Sequence, residues 1–241
     1  VWPRLWAEGV SAVTDMGFRG LELWDDLSAL EDEEALGLRS ALYVMEDGFD
    51  EAIARGLARR GAGPWLNAAG LKLFLDGTLG SRTAWMLEPY SDRAGRGIAI
   101  LRADAAASAI AKAAATGWPT AAHAIGDAAV RLALDLFEAE PSAPDGRHLR
   151  HRVEHLQRVA PEDLPRFGQA QRWASVQPIH LAADWAEADQ AWGPDRCRQG
   201  AYPWRSVLTA GGRLALGSDA PIEPPAVLPG LRLATSRRAG A

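Results

Sequence analysis

The stretch Leu71-Lys72-Leu73-Phe74-Leu75-Asp76 is an apolar strand that carries a single amine. Lys72 and Lys112 are the two lysines of the chain, among 26 lysines and arginines. Arginine stays protonated in protein sites, whereas a buried lysine can lose its proton and then react or bind a metal-linked group. The neutral amine can also take up carbon dioxide and become a carbamate, which is a negatively charged metal bridge. The use of lysine at position 72 therefore indicates a chemical role.

Three further strand-like segments end in residues that can bind a metal: Ala121–His123, Val153–His155 and Leu216–Asp219. Imidazole nitrogens and carboxylate oxygens are suitable ligands for zinc and related ions. In barrel enzymes the catalytic groups lie at the carboxyl ends of the strands. We therefore predict a divalent metal site, with zinc as the expected ion, whose ligands are Lys72, His123, His155 and Asp219.

Strands and helices alternate along the chain, which is typical of a parallel α/β sheet or barrel. The predicted strands are Val10–Asp15, Arg39–Met45, Leu71–Asp76, Pro119–His123, His151–His155, Ala174–Ile179 and Leu214–Asp219. Predicted helices include a short one opened by a capping box at Ser28 and Glu31, and others at Pro161–Phe167 and Pro203–Ala210. Seven strands are one short of a TIM-type (β/α)₈ barrel. We predict an α/β fold with an incomplete barrel as a single domain over residues 1–241.

Both ends of the chain differ from those of a closed barrel. The sequence enters at Val1 with a helix-like segment, and neither a first strand before Pro3 nor a full closing helix after Asp219 is predicted. We expect a piece of a larger barrel protein, truncated at both ends. Exposed sheet edges would then favour aggregation and marginal stability.

Composition excludes several classes of function. An apolar fraction of 48% suffices for a sizeable core, and a net charge of −5 without blocks of like charge argues against nucleic acid and anionic membranes as partners. No apolar run approaches the roughly 18 residues that span a bilayer. Cys197 is the single cysteine, so neither an internal disulfide nor a cysteine-based zinc cluster can form. We expect a cytoplasmic protein that acts on a small molecule, with its oligomeric state left open.

Five motifs in order along the chain carry a family resemblance. They are KLFLDGTLGSR at Lys72–Arg82, AHAIGD at Ala122–Asp127, RHRVEH at Arg150–His155, QPIH at Gln177–His180 and GSDAP at Gly217–Pro221. Together they resemble the amidohydrolase superfamily, and within it the branch called amidohydrolase family 3, which includes N-substituted formamide deformylase-like proteins. The resemblance extends from about Gly9 to Glu223.

The resemblance implies a role for each metal-capable residue. Lys72, as a carboxylated lysine, would bridge two divalent metals, and His123 and His155 would hold one of them. Asp219 would bind the other metal and take the proton of the bridging water. The family's first barrel strand ends in a His-x-His pair, which this sequence lacks, and the family's small β-sandwich domain is also missing. The chain therefore holds at most half of one metal site.

The residue chemistry suggests the remaining roles. A metal lowers the pKa of bound water toward about 7 and polarises a carbonyl, so that Asp219 could act as general base. His180 follows a strand end and could donate to the developing oxyanion. Asp76 and Arg82 lie beside the predicted mouth of the barrel, where they could contact substrate. We predict a metal-dependent hydrolase that cleaves a non-peptide carbon–nitrogen bond, of amide or formamide type, with metal-activated water.

Two alternatives remain open. The chain could be a degenerate barrel without catalysis, since the His-x-His pair is absent. Lys72 could instead be a Schiff-base nucleophile of a lyase, as in barrel aldolases, although this leaves His123, His155 and Asp219 without a shared purpose. A serine hydrolase is disfavoured, because the sequence contains no Gly-x-Ser-x-Gly.

Overall fold

The computed structural model describes residues 2–57, 64–169 and 172–237. The chain forms two compact units, each assembled from separate stretches of sequence. Unit 1 comprises Val1–Leu73, Ser108–Ala121 and Glu140–Leu149, and unit 2 comprises Phe74–Ala107, Ala122–Ala139 and Arg150–Ala241.

Seven strands follow one another in the order β1-β2-β3-β4-β5-β6-β7. They are β1 Ala12–Asp15, β2 Arg39–Met45, β3 Leu66–Phe74, β4 Thr120–Ala124, β5 Arg152–His155, β6 Trp173–Val176 and β7 Arg213–Leu216. The pairs β1–β2, β2–β3, β5–β6 and β6–β7 are parallel. The predicted fold class is confirmed: this is an α/β fold with seven parallel strands, as in an incomplete TIM-type barrel.

Helices occupy most of the connections between strands. They are α1 Trp2–Ala7, α2 Gly20–Asp32, α3 Glu46–Ala54, α4 Ala103–Ala115, α5 Asp127–Ala139, α6 His180–Trp192, α7 Pro194–Gly200, α8 Trp204–Thr209 and α9 Val227–Ser236, with a 3₁₀ helix at Pro161–Phe167. Neither α6 nor α7 was predicted from the sequence. It was also wrong that no full helix follows Asp219, since α9 does.

The predicted capping box is a second correction. Ser28 lies inside α2, so it does not open a helix. The Glu31 carboxylate instead accepts hydrogen bonds from the backbone N–H groups of Trp65 (3.1 Å) and Leu66 (2.9 Å). The Ser28–Glu31 pattern therefore does not form a capping box. The Glu31 carboxylate instead binds backbone N–H groups at the start of β3, up to 35 residues further along the chain.

Unit 1 contains β1, β2 and most of β3. Gly70 allows a close approach, since a Cβ at this position would lie 2.3 Å from the carbonyl oxygen of Pro119. The Leu71 N–H donates to that same carbonyl at 2.9 Å. Lys72 pairs in register with Met45 of β2 and is 2% exposed. Lys72 is therefore buried within β3, as the apolar sequence around it predicts.

Unit 2 contains most of β4 together with β5, β6 and β7. β4 is buried at every residue, and α5 is strongly amphipathic. The buried side of α5 carries Ala129, Val130, Ala133, Leu134 and Phe137, which recur at helical spacing. The buried residues of α5 and those of β4 in this unit thus contribute to the core.

The two outermost strands differ from the buried interior strand. β1 alternates between exposed and half-buried residues, and β7 begins and ends on exposed ones, whereas β4 is wholly buried. Strands of all-parallel sheets are usually buried on both faces. Among the described residues, no helix has both the length and the apolar character needed to cross a membrane.

Candidate active site

Two imidazole rings lie side by side where β4 and β5 end. His123 is the penultimate residue of β4 and His155 is the last residue of β5. Their ring centroids are 4.4 Å apart, with the ring planes inclined by 63°. Neighbouring parallel strands end at the same edge of a sheet, and the structure brings these two histidines together at such an edge.

The His123 ring is oriented by the turn that follows β3. Its Nε2 lies 3.0 Å from the carbonyl oxygen of Gly77 and 3.5 Å from Oδ1 of Asp76. A carbonyl oxygen only accepts hydrogen bonds, so Nε2 carries the proton in this contact. In a neutral ring the lone pair is then on Nδ1. Phe74 packs on the ring at a centroid distance of 5.1 Å. A fixed tautomer of this kind is what a metal-ligating histidine requires.

Asp76 is fully buried and binds backbone amides. Its Oδ2 accepts hydrogen bonds from the N–H groups of Gly126 (2.8 Å) and Trp85 (2.9 Å), and its Oδ1 accepts one from Ile125 (3.0 Å). Burial raises the pKa of Asp76 to about 7, and the three backbone hydrogen bonds oppose that rise. The carboxylate thus joins the turns after β3 and β4. Its predicted contact with substrate stays a prediction.

The start of α5 packs tightly against the loop after β3. A Cβ on Gly126 would lie 2.0 Å from the carbonyl oxygen of Trp85, so the approach requires glycine. The Asp127 carboxylate accepts a hydrogen bond from the Leu87 N–H at 2.7 Å, and it lies 3.7 Å from Nη2 of Arg158. Gly126 and Asp127 of the AHAIGD motif therefore hold the start of α5 against the loop after β3.

Arg82 lies in the same loop and makes several internal contacts. Its guanidinium pairs with Asp92 (2.8 Å) and with Glu187 of α6 (2.7 Å), and it donates to the Leu79 carbonyl oxygen at 2.9 Å. The Arg82 side chain is 5% exposed. These ion pairs connect the loop to α6, and neither carboxylate partner was identified from sequence. The predicted contact of Arg82 with substrate stays a prediction.

His180 is the first residue of α6 and lies near His155. The two ring centroids are 6.3 Å apart and the ring planes differ by 12°. His180 is 8% exposed, and its buried Nε2 has no hydrogen-bond partner in the part of the chain that the structure describes. Buried polar atoms normally have a partner, so this nitrogen is suited to a group outside the chain, such as water or substrate. The oxyanion role of His180 stays a prediction.

The two remaining predicted ligands occupy different settings. Asp219 lies three residues after β7, is half-buried, and has a left-handed backbone with φ of +60°. Its carbonyl oxygen accepts a hydrogen bond from the Ile222 N–H at 2.8 Å. Lys72 is buried in the part of β3 that belongs to unit 1, whereas both histidines and Asp219 belong to unit 2. The convergence of these residues with Lys72 stays a prediction.

The donor set fits part of a metal site. Within residues 2–57, 64–169 and 172–237, no group of three or more His, Cys, Asp and Glu side chains is arranged to hold a metal. His123 and His155 provide two imidazoles, while zinc sites usually have three or four protein ligands. The pair therefore suits two of the ligands of a divalent ion. The ion and the role of each ligand stay predictions.

A partly buried polar network near the histidines was not predicted from the sequence. Asp184 of α6 accepts hydrogen bonds from Gln157 Nε2 (2.8 Å) and from the Tyr202 hydroxyl (3.0 Å). The signal was present in the sequence, because His180 and Asp184 have the i, i+4 spacing of one helix face. It was overlooked because no helix was predicted over this segment.

Comparisons with known proteins agree with this fold. The sequence model of the amidohydrolase family matches residues 3–241. The chain is 37% identical over 174 residues to "Protein LONG AFTER FAR-RED 3" of Arabidopsis thaliana, covering 72% of this chain and 30% of the relative.

Two solved structures share most of the chain's fold. Each is described as an uncharacterized metal-dependent hydrolase. The one from Pyrococcus furiosus is 31% identical with a TM-score of 0.86, covering 97% of this chain and 47% of the other. The one from Pyrococcus horikoshii OT3 is 30% identical with a TM-score of 0.88, covering 98% and 47% respectively. The chain thus spans less than half the length of each of these relatives.

Proposed function

The chain belongs to the amidohydrolase family, and on that premise we propose that it forms part of a metal-dependent hydrolase. The proposed reaction is hydrolysis of a non-peptide carbon–nitrogen bond, of amide or formamide type, in a small molecule. The observation that carries the proposal is the pair of imidazoles of His123 and His155, 4.4 Å apart at the ends of β4 and β5. The two Pyrococcus relatives, which are named metal-dependent hydrolases, support the same class of reaction.

The metal would be held by His123 and His155 in this proposal. When bound, a divalent ion lowers the pKa of its water and polarises the scissile carbonyl. The contact of His123 Nε2 with the Gly77 carbonyl supports a fixed ring orientation before any ligand arrives. Pre-oriented ligands avoid reorganisation during binding. The bridging carbamate proposed at Lys72 rests on the sequence motif alone.

The chain's own groups would move the protons. Asp219 is proposed to take the proton of the attacking water and to pass it to the leaving amine. His180 is proposed to donate a hydrogen bond to the oxyanion as it forms. The buried Nε2 of His180, which has no partner among the described residues, supports this role. Asp76 would keep the turns after β3 and β4 in place around His123.

A catalytically inactive member of the family is the second candidate. It is favoured by the finding that the described residues contain no group of three His, Cys, Asp or Glu side chains arranged for a metal. A barrel that retains the histidine pair without the remaining ligands would bind metal weakly and would not hydrolyse amides.

Metal analysis of histidine variants separates the two candidates. We expect the protein to bind a divalent ion, and His123→Asn and His155→Asn to lose most of it, as measured by elemental mass spectrometry after dialysis. His148→Asn is the matched control, because His148 is exposed. Equal metal content in all three variants would contradict the proposed ligands, and metal binding without hydrolysis of N-formyl and N-acyl amines would favour the inactive member.

Replacement of the lysine tests the proposed carbamate. Lys72→Arg keeps the positive charge but removes the only group there that can form a carbamate. In a full-length enzyme we expect loss of most bound metal and of turnover with the fold retained, and partial recovery in Lys72→Glu, whose carboxylate imitates the carbamate's charge. Circular dichroism checks the fold. Unchanged turnover in Lys72→Arg would show that the bridging role is wrong.

A further inference from the structure

We propose that Asp184 is a positioning residue that holds His155 and His180 in a fixed mutual orientation through Gln157 and Tyr202. The proposal rests on the proposed function, in which these two histidines act on metal and substrate. Asp184 Oδ2 accepts a hydrogen bond from Gln157 Nε2 at 2.8 Å and another from the Tyr202 hydroxyl at 3.0 Å. One carboxylate oxygen therefore joins three segments of unit 2.

The first segment is the turn that carries His155. His155 has φ of +71° and the next residue, Leu156, has φ of +48°, so two consecutive non-glycine residues adopt the left-handed conformation. Left-handed non-glycine residues are strained and persist only where the surroundings impose them. Gln157 follows directly, with its side chain bound by Asp184 and its carbonyl oxygen accepting from the Tyr202 N–H at 2.7 Å. The two contacts of Gln157 therefore hold the turn on the side that follows Leu156.

The second segment is the first turn of α6. His180 and Asp184 are four residues apart in that helix, so their side chains lie on one face. Burial raises the pKa of Asp184, and the hydrogen bonds from Tyr202 and Gln157 oppose that rise. The start of α6, and His180 with it, is thereby tied to the turn after β5.

The third segment anchors the network in the core. Tyr202 is 1% exposed and also has a left-handed backbone, with φ of +47°. Its ring packs against the rings of Trp192 and Trp204, with distances between ring centroids of 6.4 Å and 6.0 Å respectively. Since the ring is fixed by aromatic neighbours, its hydroxyl presents a stationary donor to Asp184. The ring planes of His155 and His180 differ by 12°, and this is the arrangement that the network would maintain.

Histidine NMR tests the proposal without reference to catalysis. The chain has five histidines, so imidazole nitrogen signals from protein labelled with ¹⁵N-histidine can be assigned by substitution. Tyr202→Phe removes one hydroxyl and leaves the ring packing unchanged. We expect the ring signals of His155 and His180 to shift while that of the exposed His148 stays in place.

Tyr90→Phe is the matched control for the loss of a buried hydroxyl. The Tyr90 hydroxyl donates to the Ala84 carbonyl oxygen at 2.7 Å and takes no part in the Asp184 network. We expect this variant to leave the signals of His155 and His180 unchanged. If Tyr202→Phe shifted all five histidine signals alike, its effect would be global and the positioning role would be wrong.

Asp184→Asn is the second variant, because asparagine keeps one carbonyl oxygen as acceptor. We expect smaller shifts of the two histidine signals in Asp184→Asn than in Asp184→Ala, and a fall in kcat of about tenfold with little change in KM. Unchanged signals in Tyr202→Phe and Asp184→Asn, with native circular dichroism, would overturn the proposal. Shifted signals in a protein without hydrolase activity would retain the positioning role and reject the proposed function alone.

Discussion

The loops after β3 and β4 and the segment after β7 both lie in unit 2, yet they differ in how the fold holds them. In the first region Asp76 is 0% exposed and Leu79 is 2% exposed. In the second region Ile222 is 72% exposed and Leu228 is 76% exposed. The first region surrounds His123, and the second carries Asp219. The histidine part of the candidate site is therefore built into a packed core, whereas its aspartate lies in a largely exposed segment.

Two glycines show the same contrast on an atomic scale. A Cβ on Gly126, in the turn after β4, would lie 2.0 Å from a backbone oxygen. A Cβ on Gly217, directly after β7, would meet nothing within 4 Å. Rigid packing around the histidines suits a site that must be pre-organised, because misplaced catalytic groups lose rate steeply.

The largest effect is expected at Asp219. Asp219→Asn should lower turnover by about 10³-fold, because it removes the proposed general base. Stability should change by less than about 0.5 kcal/mol, since the residue is half-buried and asparagine tolerates its left-handed backbone. Turnover and urea unfolding are measured on the same samples, with the exposed Asp26→Asn as control. A large loss of stability would show that the segment after β7 is packed more firmly than its exposure indicates.

The paired glycine variants test the contrast directly. Gly126→Ala should destabilise the protein by about 3 kcal/mol, because its Cβ collides with the backbone of Trp85. Gly217→Ala should change stability by less than about 0.5 kcal/mol. Urea unfolding of the two variants gives the comparison. Equal effects would contradict the difference in packing between the two regions.

A smaller effect is expected from the ion pairs of the loop after β3. Arg82→Ala leaves the carboxylates of Asp92 and Glu187 without their partner and should lower the free energy of unfolding by about 2 kcal/mol. The loss should be smaller than for a fully buried ion pair, because the Glu187 side chain is 42% exposed. Arg19→Ala, which breaks an exposed pair with Asp26, should cost less than about 0.5 kcal/mol. Thermal unfolding checks both, and equal shifts in midpoint would show that the Arg82 pairs do not fasten the loop.

The sequence alone determined the fold class, and it supplied the candidate site residues, whose roles stay predictions. Alternation of strands with helices predicted the parallel sheet, and the strand-like segments ending in His123 and His155 placed both residues near strand ends, where the structure has them. These inferences succeed because the carboxyl ends of neighbouring parallel strands lie at one edge of a sheet, whatever the details of packing. Lys72 was likewise predicted to be buried, and it is 2% exposed.

Only the tertiary structure decided which polar residues face inward and what they bind. Asp76 and Arg82 are predicted substrate contacts by sequence, yet the fold surrounds them with backbone amides and carboxylates, including Glu187 more than 100 residues away. The network of Asp184, Gln157 and Tyr202 likewise joins three distant segments. Hydrogen bonds of this kind depend on positions in space that sequence spacing does not encode, because the loops between strands set them.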